Sequence, residues 1–253
     1  MQNEASAAQP LRGKVAVVSG GSNGIGAAAV RELAALGARV AIGYHQGSDR
    51  AEALRASLPG EAHVALHMPL EDSAAHDALR DQLASLFDQV DMLVNSAGFT
   101  QRIPHGDLET LDPATFNKIL LANAGGPFSL TRALMPLLKK SPAAVVVSVS
   151  SLSAFTGSGS NIAYCAAKAA LDTMTIAMAR AFAPVRFLCV SPGSVLTDFV
   201  PGRSREEVIR KGESTPLGRA VTPEDVALAI VACVTHLRAS TGTRILVDGG
   251  QNL

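Results

Sequence analysis

Tyr164 and Lys168 are the residues of this chain whose types and spacing are best suited to chemistry. They lie four positions apart in an apolar segment, Asn161 to Phe182, where apolar residues recur every three or four positions. That period predicts a helix, and residues four apart share one face of a helix. A fixed cation favours the phenolate and lowers the pKa of tyrosine from its usual value of about 10. The pair is therefore a candidate proton donor and acceptor for a carbonyl or an alcohol.

Pairs of Tyr and Lys at this spacing also occur by chance on helices, so other motifs must support the chemistry. A glycine-rich turn, Gly20 to Gly26, follows the apolar segment Lys14–Ser19 and precedes a helix predicted over Ala27–Leu36. Between a buried strand and a helix N-terminus, glycines let the backbone approach a pyrophosphate, and helix N–H groups attract it. The sequence therefore predicts a dinucleotide site, although a structural turn remains the alternative.

The end of the second predicted strand, Arg39–Tyr44, bears on which dinucleotide binds. In NAD-binding folds a carboxylate near this point holds the ribose 2′-hydroxyl. Here Tyr44, His45 and Gln46 follow, with no acidic residue before Asp49. A 2′-phosphate would therefore not be repelled, and we expect NADP, with NAD as the open alternative. Candidate contacts to the phosphate are Ser22, Asn23, His45 and Arg50.

Strand and helix patterns alternate along the remaining chain. Further strands are predicted at His63–Met68, Val90–Val94, Ala143–Ser150, Arg186–Val190 and Ile245–Val247. Repeated βαβ units form a parallel sheet covered by helices on both faces, so we predict a single-domain α/β fold of Rossmann type. This doubly wound sheet of about seven strands occupies residues 11–253. We interpret residues 1–10 as a disordered tail and residues 196–216 as a mobile flap over the site.

Composition argues against several classes of protein. Lys plus Arg equals Asp plus Glu, at 22 each, so no nucleic-acid surface is expected. We expect no apolar run of the about 18 residues that cross a membrane, and the start lacks the basic and apolar regions of a signal peptide. The spacing of Cys165, Cys189, Cys233 and the six histidines suggests neither disulfides nor a metal site. We expect a reduced, cytoplasmic protein.

Taken together, these features resemble the short-chain dehydrogenase/reductase family, and most closely its beta-ketoacyl-carrier-protein reductase-like members. The resemblance covers nearly the whole chain. Its motifs occur in one order, as SGGSNGIG at 19–26, NSAG at 95–98, Asn123, Ser151, YCAAK at 164–168, SPGSVLT at 191–197 and VDGG at 247–250. It implies hydride transfer between NADP(H) and a small carbonyl or alcohol substrate, by a ketone reductase or secondary-alcohol dehydrogenase.

The resemblance also implies a role for each catalytic residue. Tyr164 is the general acid/base, Lys168 lowers its pKa and holds the nicotinamide ribose, and Ser151 hydrogen-bonds the substrate oxygen. Asn123 supports a water-mediated proton relay with Lys168. The family's spacing of 13 from serine to tyrosine selects Ser151, with its neighbour Ser150 as the alternative. The implied cofactor-binding residues are Gly20, Ser22, Asn23, Gly24, Ile25, Gly26, Tyr44, His45, Leu70, Asn95, Ala97, Gly98, Tyr164, Lys168, Pro192, Gly193, Val195 and Thr197.

Two positions depart from the family pattern. Ser96 replaces the second Asn of the usual Asn-Asn-Ala-Gly motif, which is a mild change. Pro69-Leu70 stands where the family usually has Asp-Val, whose Asp contacts the adenine amino group. Pro69 offers no side-chain acceptor, so cofactor binding should weaken by about 1 kcal/mol. Leu70 can still pack on the adenine.

Two alternative functions follow from the same motifs. A regulator that senses the dinucleotide without turnover typically lacks Tyr or Lys, and both are present here. Epimerases or dehydratases among the extended relatives carry a larger C-terminal region. The resemblance also implies a homotetramer or homodimer, built from the Tyr164 helix, the predicted helix Pro113–Leu138 and the final strand. Substrate recognition is expected at Phe99–His105, the loop after Ser151 and the flap.

Overall fold

The structure is a computed structural model that describes residues 9–253. The strands are β1 (Val15–Ser19), β2 (Arg39–Tyr44), β3 (Val64–His67), β4 (Met92–Asn95), β5 (Val145–Val149), β6 (Arg186–Pro192) and β7 (Thr243–Val247). All neighbours pair in parallel, in the order β3-β2-β1-β4-β5-β6-β7. The order reverses at β1, between β2 and β4, so the carboxyl ends of these strands form a crevice suited to a ligand.

Helices connect the strands and cover both faces of the sheet. They are α1 (Gly24–Ala35), α2 (Ser48–Ser57), α3 (Ser73–Leu86), α4 (Pro113–Leu120), α5 (Gly126–Leu138), α6 (Ser153–Thr156), α7 (Ile162–Ala181), α8 (Arg205–Glu213) and α9 (Pro223–Thr235). A π-helical segment, Leu121–Gly125, joins α4 to α5. The predicted Rossmann-type fold is confirmed.

Strand β1 shows why the two faces need different helices. All five of its residues are buried, as expected of a central parallel strand. Because alternate side chains point to opposite faces, Ala16 and Val18 join the cluster that contains α1 and α9. Val15 and Val17 join the cluster beneath α3 and α5. The sheet is thus packed between two apolar layers, so polar side chains that could take part in chemistry are expected at the ends of the strands.

The structure adds detail where the sequence predicted loops or one long helix. The helix predicted over Pro113–Leu138 is interrupted by the π-helical segment. The predicted flap, residues 196–216, contains helix α8, and the loop after Ser151 contains the single turn α6. Residues 1–8 of the predicted tail lie outside the described residues. From residue 9 onward the chain is described, and the carbonyl of Gln9 accepts a hydrogen bond from the Arg12 N–H at 3.1 Å.

Helix α7 meets the length and composition that a membrane crossing requires, with 20 residues and a mean hydropathy of 1.2. This corrects the expectation that no apolar run is long enough. In the fold, α7 packs against α4, β6 and the π-helical segment. Its buried face also carries the ionisable side chains of Lys168 and Asp172. These contacts and charges are those of a core helix.

Candidate active site

The start of α7 is fixed by Asn161, which also links it to the loop after β4. The Asn161 side-chain oxygen accepts a hydrogen bond from the Tyr164 N–H at 2.7 Å, which caps the helix. Its side-chain nitrogen donates to the carbonyl of Gln101 at 2.8 Å. Tyr164 therefore lies in the first turn of a helix whose N-terminus is anchored on two sides.

Tyr164, Lys168 and Ser151 line one cavity of about 770 Å³ at the carboxyl ends of the strands. Lys168 is only 4% exposed, and its Nζ donates a hydrogen bond of 2.8 Å to the carbonyl of Val149. The same nitrogen lies 5.6 Å from the centre of the Tyr164 ring. The predicted pairing of phenol and lysine on one helix face is therefore present, and the two side chains meet a third, Ser151, from another element.

Burial dominates the electrostatics of the pair. It raises the pKa of Tyr164 above the ordinary value, while the nearby hydroxyl of Ser151 and the charge of Arg203 oppose the increase. Burial also lowers the pKa of Lys168 to about 8, and the carboxylate of Asp172 acts in the opposite direction. The charge of Arg203, a residue that the sequence analysis did not single out, thus favours the Tyr164 phenolate.

The structure distinguishes Ser151 from its neighbour Ser150. The Ser151 hydroxyl donates to the Ser153 hydroxyl at 3.1 Å and accepts from the Ser153 N–H at 3.1 Å. Ser150 is 1% exposed, and its hydroxyl has no hydrogen-bond partner. Both serines line the cavity, but Ser151 is half-buried, whereas the Ser150 hydroxyl is buried.

Asn123 lies in the π-helical segment, fully buried behind the cavity. Its side-chain nitrogen donates to the carbonyls of Phe99 at 2.6 Å and Ile119 at 2.9 Å. Its side-chain oxygen is buried without a partner. A Cβ on Gly98 would lie 2.7 Å from that oxygen, so only glycine fits there. π-Helical turns occur often at functional sites, and this one places an unsatisfied acceptor next to Gly98 and Phe99 in the loop after β4.

The glycine-rich turn brings backbone atoms into very close contact. Gly20 has a φ of 64°, and a Cβ there would lie 2.8 Å from the Cα of Ala97. A Cβ on Gly26 would lie 2.2 Å from the carbonyl oxygen of Gly20. Asn23 caps α1 by accepting from the Gly24 N–H at 2.8 Å, and the following N–H groups have no intrahelical partner. This geometry fits the pyrophosphate of a dinucleotide.

The other implied cofactor residues divide into those that line a cavity and those that lie outside it. Ile25, Gly98, Pro192, Gly193, Val195 and Thr197 line the catalytic cavity. Ser22, Asn23, Gly24 and Thr197 line a smaller neighbouring cavity of about 300 Å³. Asn95 lines neither; it is buried, and its side-chain nitrogen donates to the hydroxyls of Thr131 and Ser148, both at 3.3 Å. Its contacts in this structure are therefore with β5 and α5.

The end of β2 is the exposed part of the site. Tyr44 is half-buried and His45 is exposed, and each ring centre lies 5.8 Å from that of His67 at the end of β3. Arg50 folds back from α2, and its Nη2 donates to the Gln46 carbonyl at 3.0 Å. The sequence analysis missed His67, although β2 and β3 pair in parallel with Tyr44 opposite His67.

The loop after β3, which contains Pro69 and Leu70, is fixed by contacts with α3 and α5. The carbonyl of Pro69 lies 2.7 Å from Nε2 of His76, whose Nδ1 lies 2.9 Å from the Ser129 hydroxyl. His76 is fully buried, and burial lowers its pKa. A Cβ on Gly126 would lie 2.6 Å from the Leu70 carbonyl, so α5 packs tightly beneath this loop. Leu70 is thereby held at the carboxyl-terminal edge of the sheet, after β3.

Fold and site together define a dinucleotide-dependent oxidoreductase, and comparison with known proteins identifies the family. Residues 20–252 match the family model described as Enoyl-(Acyl carrier protein) reductase. The 3-oxoacyl-(acyl-carrier-protein) reductase of Aquifex aeolicus is 32% identical over 95% of this chain and 98% of its own. L-fucose dehydrogenase of Bos taurus is 32% identical over 95% of this chain and 90% of its own.

A solved structure agrees with these sequence matches. A short-chain dehydrogenase from Burkholderia cenocepacia J2315, crystallised in complex with NADP, superposes with a TM-score of 0.86 and 31% identity. The match covers 96% of this chain and 99% of that one. The chain therefore belongs to the short-chain dehydrogenase/reductase family, among its ketoacyl-reductase-like members, and the predicted resemblance is confirmed.

Proposed function

We propose that this enzyme transfers a hydride reversibly between NADP(H) and a carbonyl/alcohol substrate, using Ser151, Tyr164, Lys168 and Asn123. The observation that carries the proposal is the meeting of Ser151, Tyr164 and a buried Lys168 in one cavity at the switch point of the sheet. When bound, the nicotinamide supplies the hydride in reduction and accepts it in oxidation. The protein's own residues then have to bind the substrate oxygen and move one proton.

In the direction of reduction, Ser151 donates a hydrogen bond to the carbonyl oxygen. Tyr164 protonates the same oxygen as negative charge develops on it. The raised pKa of Tyr164 keeps the phenol protonated before the reaction, as a proton donor requires. Lys168 binds the nicotinamide ribose, and the Asn123 side-chain oxygen, buried without a partner, supports a water that returns a proton through Lys168. Oxidation follows the same steps in reverse.

The preference for NADP rests on the exposed end of β2. His45 occupies the position at which NAD-binding folds place a carboxylate, and Arg50 lies one turn further on. Asp49 is the first acidic residue after β2, and it lies in the first turn of α2. A 2′-phosphate would therefore meet an imidazole and a guanidinium at this edge. The NADP complex of the Burkholderia cenocepacia relative is consistent with this proposal.

We also propose that the enzyme is a cytoplasmic homotetramer or homodimer. Large apolar side chains are exposed on each element expected at an interface: Leu121 in the π-helical segment, Phe128 on α5, Ile162 and Ile176 on α7, and Leu246 on β7. A second copy of the chain would cover them. Sedimentation velocity tests this assembly, and a monomer at micromolar concentration would contradict it.

The function is tested by following NADPH and NADH oxidation against ketones, diketones, quinones and a 3-oxoacyl ester. We expect faster turnover with NADPH and a loss of about 10³-fold in kcat in Tyr164→Phe, because general acid–base catalysis contributes that much. The variant should still bind NADPH in a fluorescence titration, with a loss of affinity far smaller than its loss of kcat, because Tyr164 is only one of many implied cofactor contacts. Tight NADPH binding without any turnover would instead favour a dinucleotide-sensing regulator, and faster turnover with NADH would contradict the NADP preference.

A further inference from the structure

Arg203 brings to the catalytic cavity a positive charge that the proposed reaction does not use. It lines the cavity together with Ser151 and Tyr164. Its charge lowers the pKa of Tyr164, so the guanidinium lies within electrostatic reach of the reacting phenol. A substrate whose oxygen contacts Tyr164 would therefore extend toward this cation.

The local sequence directs Arg203 inward. Val200, Pro201 and Gly202 form a turn with Arg203, whose N–H donates to the Val200 carbonyl at 3.2 Å. Proline in the second position and glycine with a φ of 73° in the third are the residues that a type II turn favours. Ser204 then caps α8 by accepting from the Glu207 N–H at 3.2 Å. Arg203 is thus fixed between a tight turn and a helix start.

The guanidinium of Arg203 is only partly satisfied by the protein. Its Nη2 donates to the Val195 carbonyl at 3.2 Å, which ties the flap to the segment after β6. Its Nε is buried without a hydrogen-bond partner. Within residues 9–253, no carboxylate oxygen lies within 4.0 Å of it. Because that Nε is buried, a ligand in the cavity would meet the Nη groups, and a half-buried cation without a carboxylate partner is best stabilised by an anion.

Among the described residues, one carboxylate side chain lines this cavity, and it is already engaged. Glu207, one turn into α8, accepts from Nη1 of Arg102 at 3.2 Å, and the same Arg102 nitrogen donates to the Gly202 carbonyl at 3.0 Å. Lys211, one further turn along α8, lines the same cavity and has no carboxylate within 4.0 Å among the described residues. Arg203 and Lys211 therefore present positive charge to the same space without an ion-pair partner among the described residues, and Glu207 offsets the charge of Arg203 only from a longer distance.

We propose that the substrate carries a carboxylate near its reacting carbonyl or alcohol carbon, and that Arg203, supported by Lys211, binds this carboxylate. The guanidinium offers planar, paired N–H groups that match a carboxylate, which a neutral ketone cannot use. The inference rests on the proposed function, because it concerns the substrate of the same site. It makes Arg203 a specificity-determining residue of the flap.

The test uses pairs of ligands that differ only in charge: 2-oxobutanoate, 3-oxobutanoate and 4-oxopentanoate, each beside its methyl ester. Binding to the complex of full-length enzyme with NADP⁺ is measured by calorimetry, because this ternary complex cannot turn over. At least one acid should bind about 10- to 100-fold more tightly than its ester, as hydrogen bonds to charged groups typically contribute. If no acid binds more tightly than its ester, including the case in which none binds, the inference is wrong.

Arg203→Gln should remove this preference to within about threefold while leaving the Kd of NADPH unchanged, because a neutral amide loses the charge-assisted bonds. Arg210→Gln is the matched control. Arg210 lies on the same helix α8, is exposed, and does not line the cavity. Thermal unfolding of each variant verifies folding; should Arg203→Gln fail to fold, Lys211→Gln supplies the second measurement, with a smaller loss of preference expected.

The same measurements test one competing role for Arg203, namely binding of the cofactor. Arg203 also lines the smaller cavity beside Ser22, Asn23 and Gly24, where the cofactor pyrophosphate would lie. A weaker affinity for NADPH in Arg203→Gln, with acid and ester affected equally, would assign the residue to the cofactor and overturn the inference. Tyr164-dependent turnover of neutral ketones without preference for acids would refute only this inference. Absence of NADPH binding would refute the proposed function itself.

Discussion

The glycine-rich turn and the catalytic cavity lie on the same edge of the sheet but are built by different means. At the turn, backbone atoms define the shape, since a side chain on Gly20 or Gly26 would collide with Ala97 or with the turn itself. At the cavity, buried side chains define it, and Lys168 and Asn123 are held by hydrogen bonds to main-chain carbonyls. Substitutions that add side-chain atoms should therefore disrupt the glycine-rich turn, whereas substitutions that remove side-chain atoms should disrupt the catalytic cavity.

The same contrast in exposure separates the catalytic cavity from the end of β2, where we propose that the adenosine of the cofactor binds and which we call the adenosine end. His45 is exposed, whereas Lys168 is 4% exposed and Asn123 is fully buried. Charged and polar contacts at an exposed site are screened by water, so each contributes little. Substitutions at the catalytic end should therefore cost orders of magnitude in rate, and those at the adenosine end should change cofactor preference by smaller factors.

After Tyr164→Phe, removing the Ser151 hydroxyl at the catalytic end should have the largest effect. Ser151→Ala is expected to lower kcat by about 10²- to 10³-fold, because a donor to the developing oxyanion is lost. Ser150→Ala is the matched control, since the Ser150 hydroxyl is buried without a partner. Its kcat should stay within about threefold of the wild type, far below the loss of one oxyanion donor. Equal losses in steady-state assays of both variants would contradict the assignment of Ser151.

Adding a carboxylate at the adenosine end should change cofactor choice instead of rate. His45→Asp is expected to lower the ratio of kcat/KM for NADPH to that for NADH by about tenfold, because the new charge repels a 2′-phosphate by a few kcal/mol at most. His45→Asn, which adds no charge, serves as the control. A ratio that is unaffected by the aspartate would show that the phosphate binds elsewhere.

The buried lysine should give the catalytic end its own dependence of stability on pH. The pKa of Lys168 is about 8 in the folded protein and 10.5 as the ordinary value. Between these values the unfolded chain holds more protons, so the free energy of unfolding should rise with pH, by at most about 1.4 kcal/mol per pH unit. This contribution is absent below pH 8, where both states are protonated.

Urea unfolding of wild type and Lys168→Met at pH 7.5, 8.5 and 9.5 (buffer values set about the pKa of Lys168) checks this expectation. The difference between the two proteins removes the titration of all other groups. Wild type should gain stability relative to the variant as the pH rises from 8. Parallel curves over the whole range would mean that the folded-state pKa of Lys168 is not lowered.

Pro69→Asp should have the smallest effect. An aspartate would supply the adenine acceptor that the family usually has, and should lower the Kd of NADPH about fivefold, since such a hydrogen bond contributes about 1 kcal/mol. Pro69→Ala changes the backbone in the same way without the acceptor, so it isolates the contribution of the carboxylate. An equal Kd for both variants would indicate that the adenine lies away from this loop.

The order of the motifs was sufficient to predict the doubly wound sheet, because alternating βαβ patterns allow few other arrangements. The pairing of Tyr164 with Lys168 followed from the period of one helix. Arg203 and His67 were missed because each reaches the site through tertiary structure, one by a turn that folds the flap inward and the other by pairing of β2 with β3. The charge of a flap residue cannot be assigned to a cavity until the flap's path is known.

The π-helical segment at Leu121–Gly125 has a consequence for insertions and deletions. A π-helical turn holds one more residue than an α-helical turn, so α4 and α5 are out of register by a single residue. Deleting Ala124 would allow one continuous α-helix, which removes the locally unfavourable turn. It would also rotate α4 relative to α5 by about 100° and carry Asn123 away from Gly98. The register between α4 and α5 thus determines where Asn123 lies, and we expect a variant with one regular helix here to be inactive.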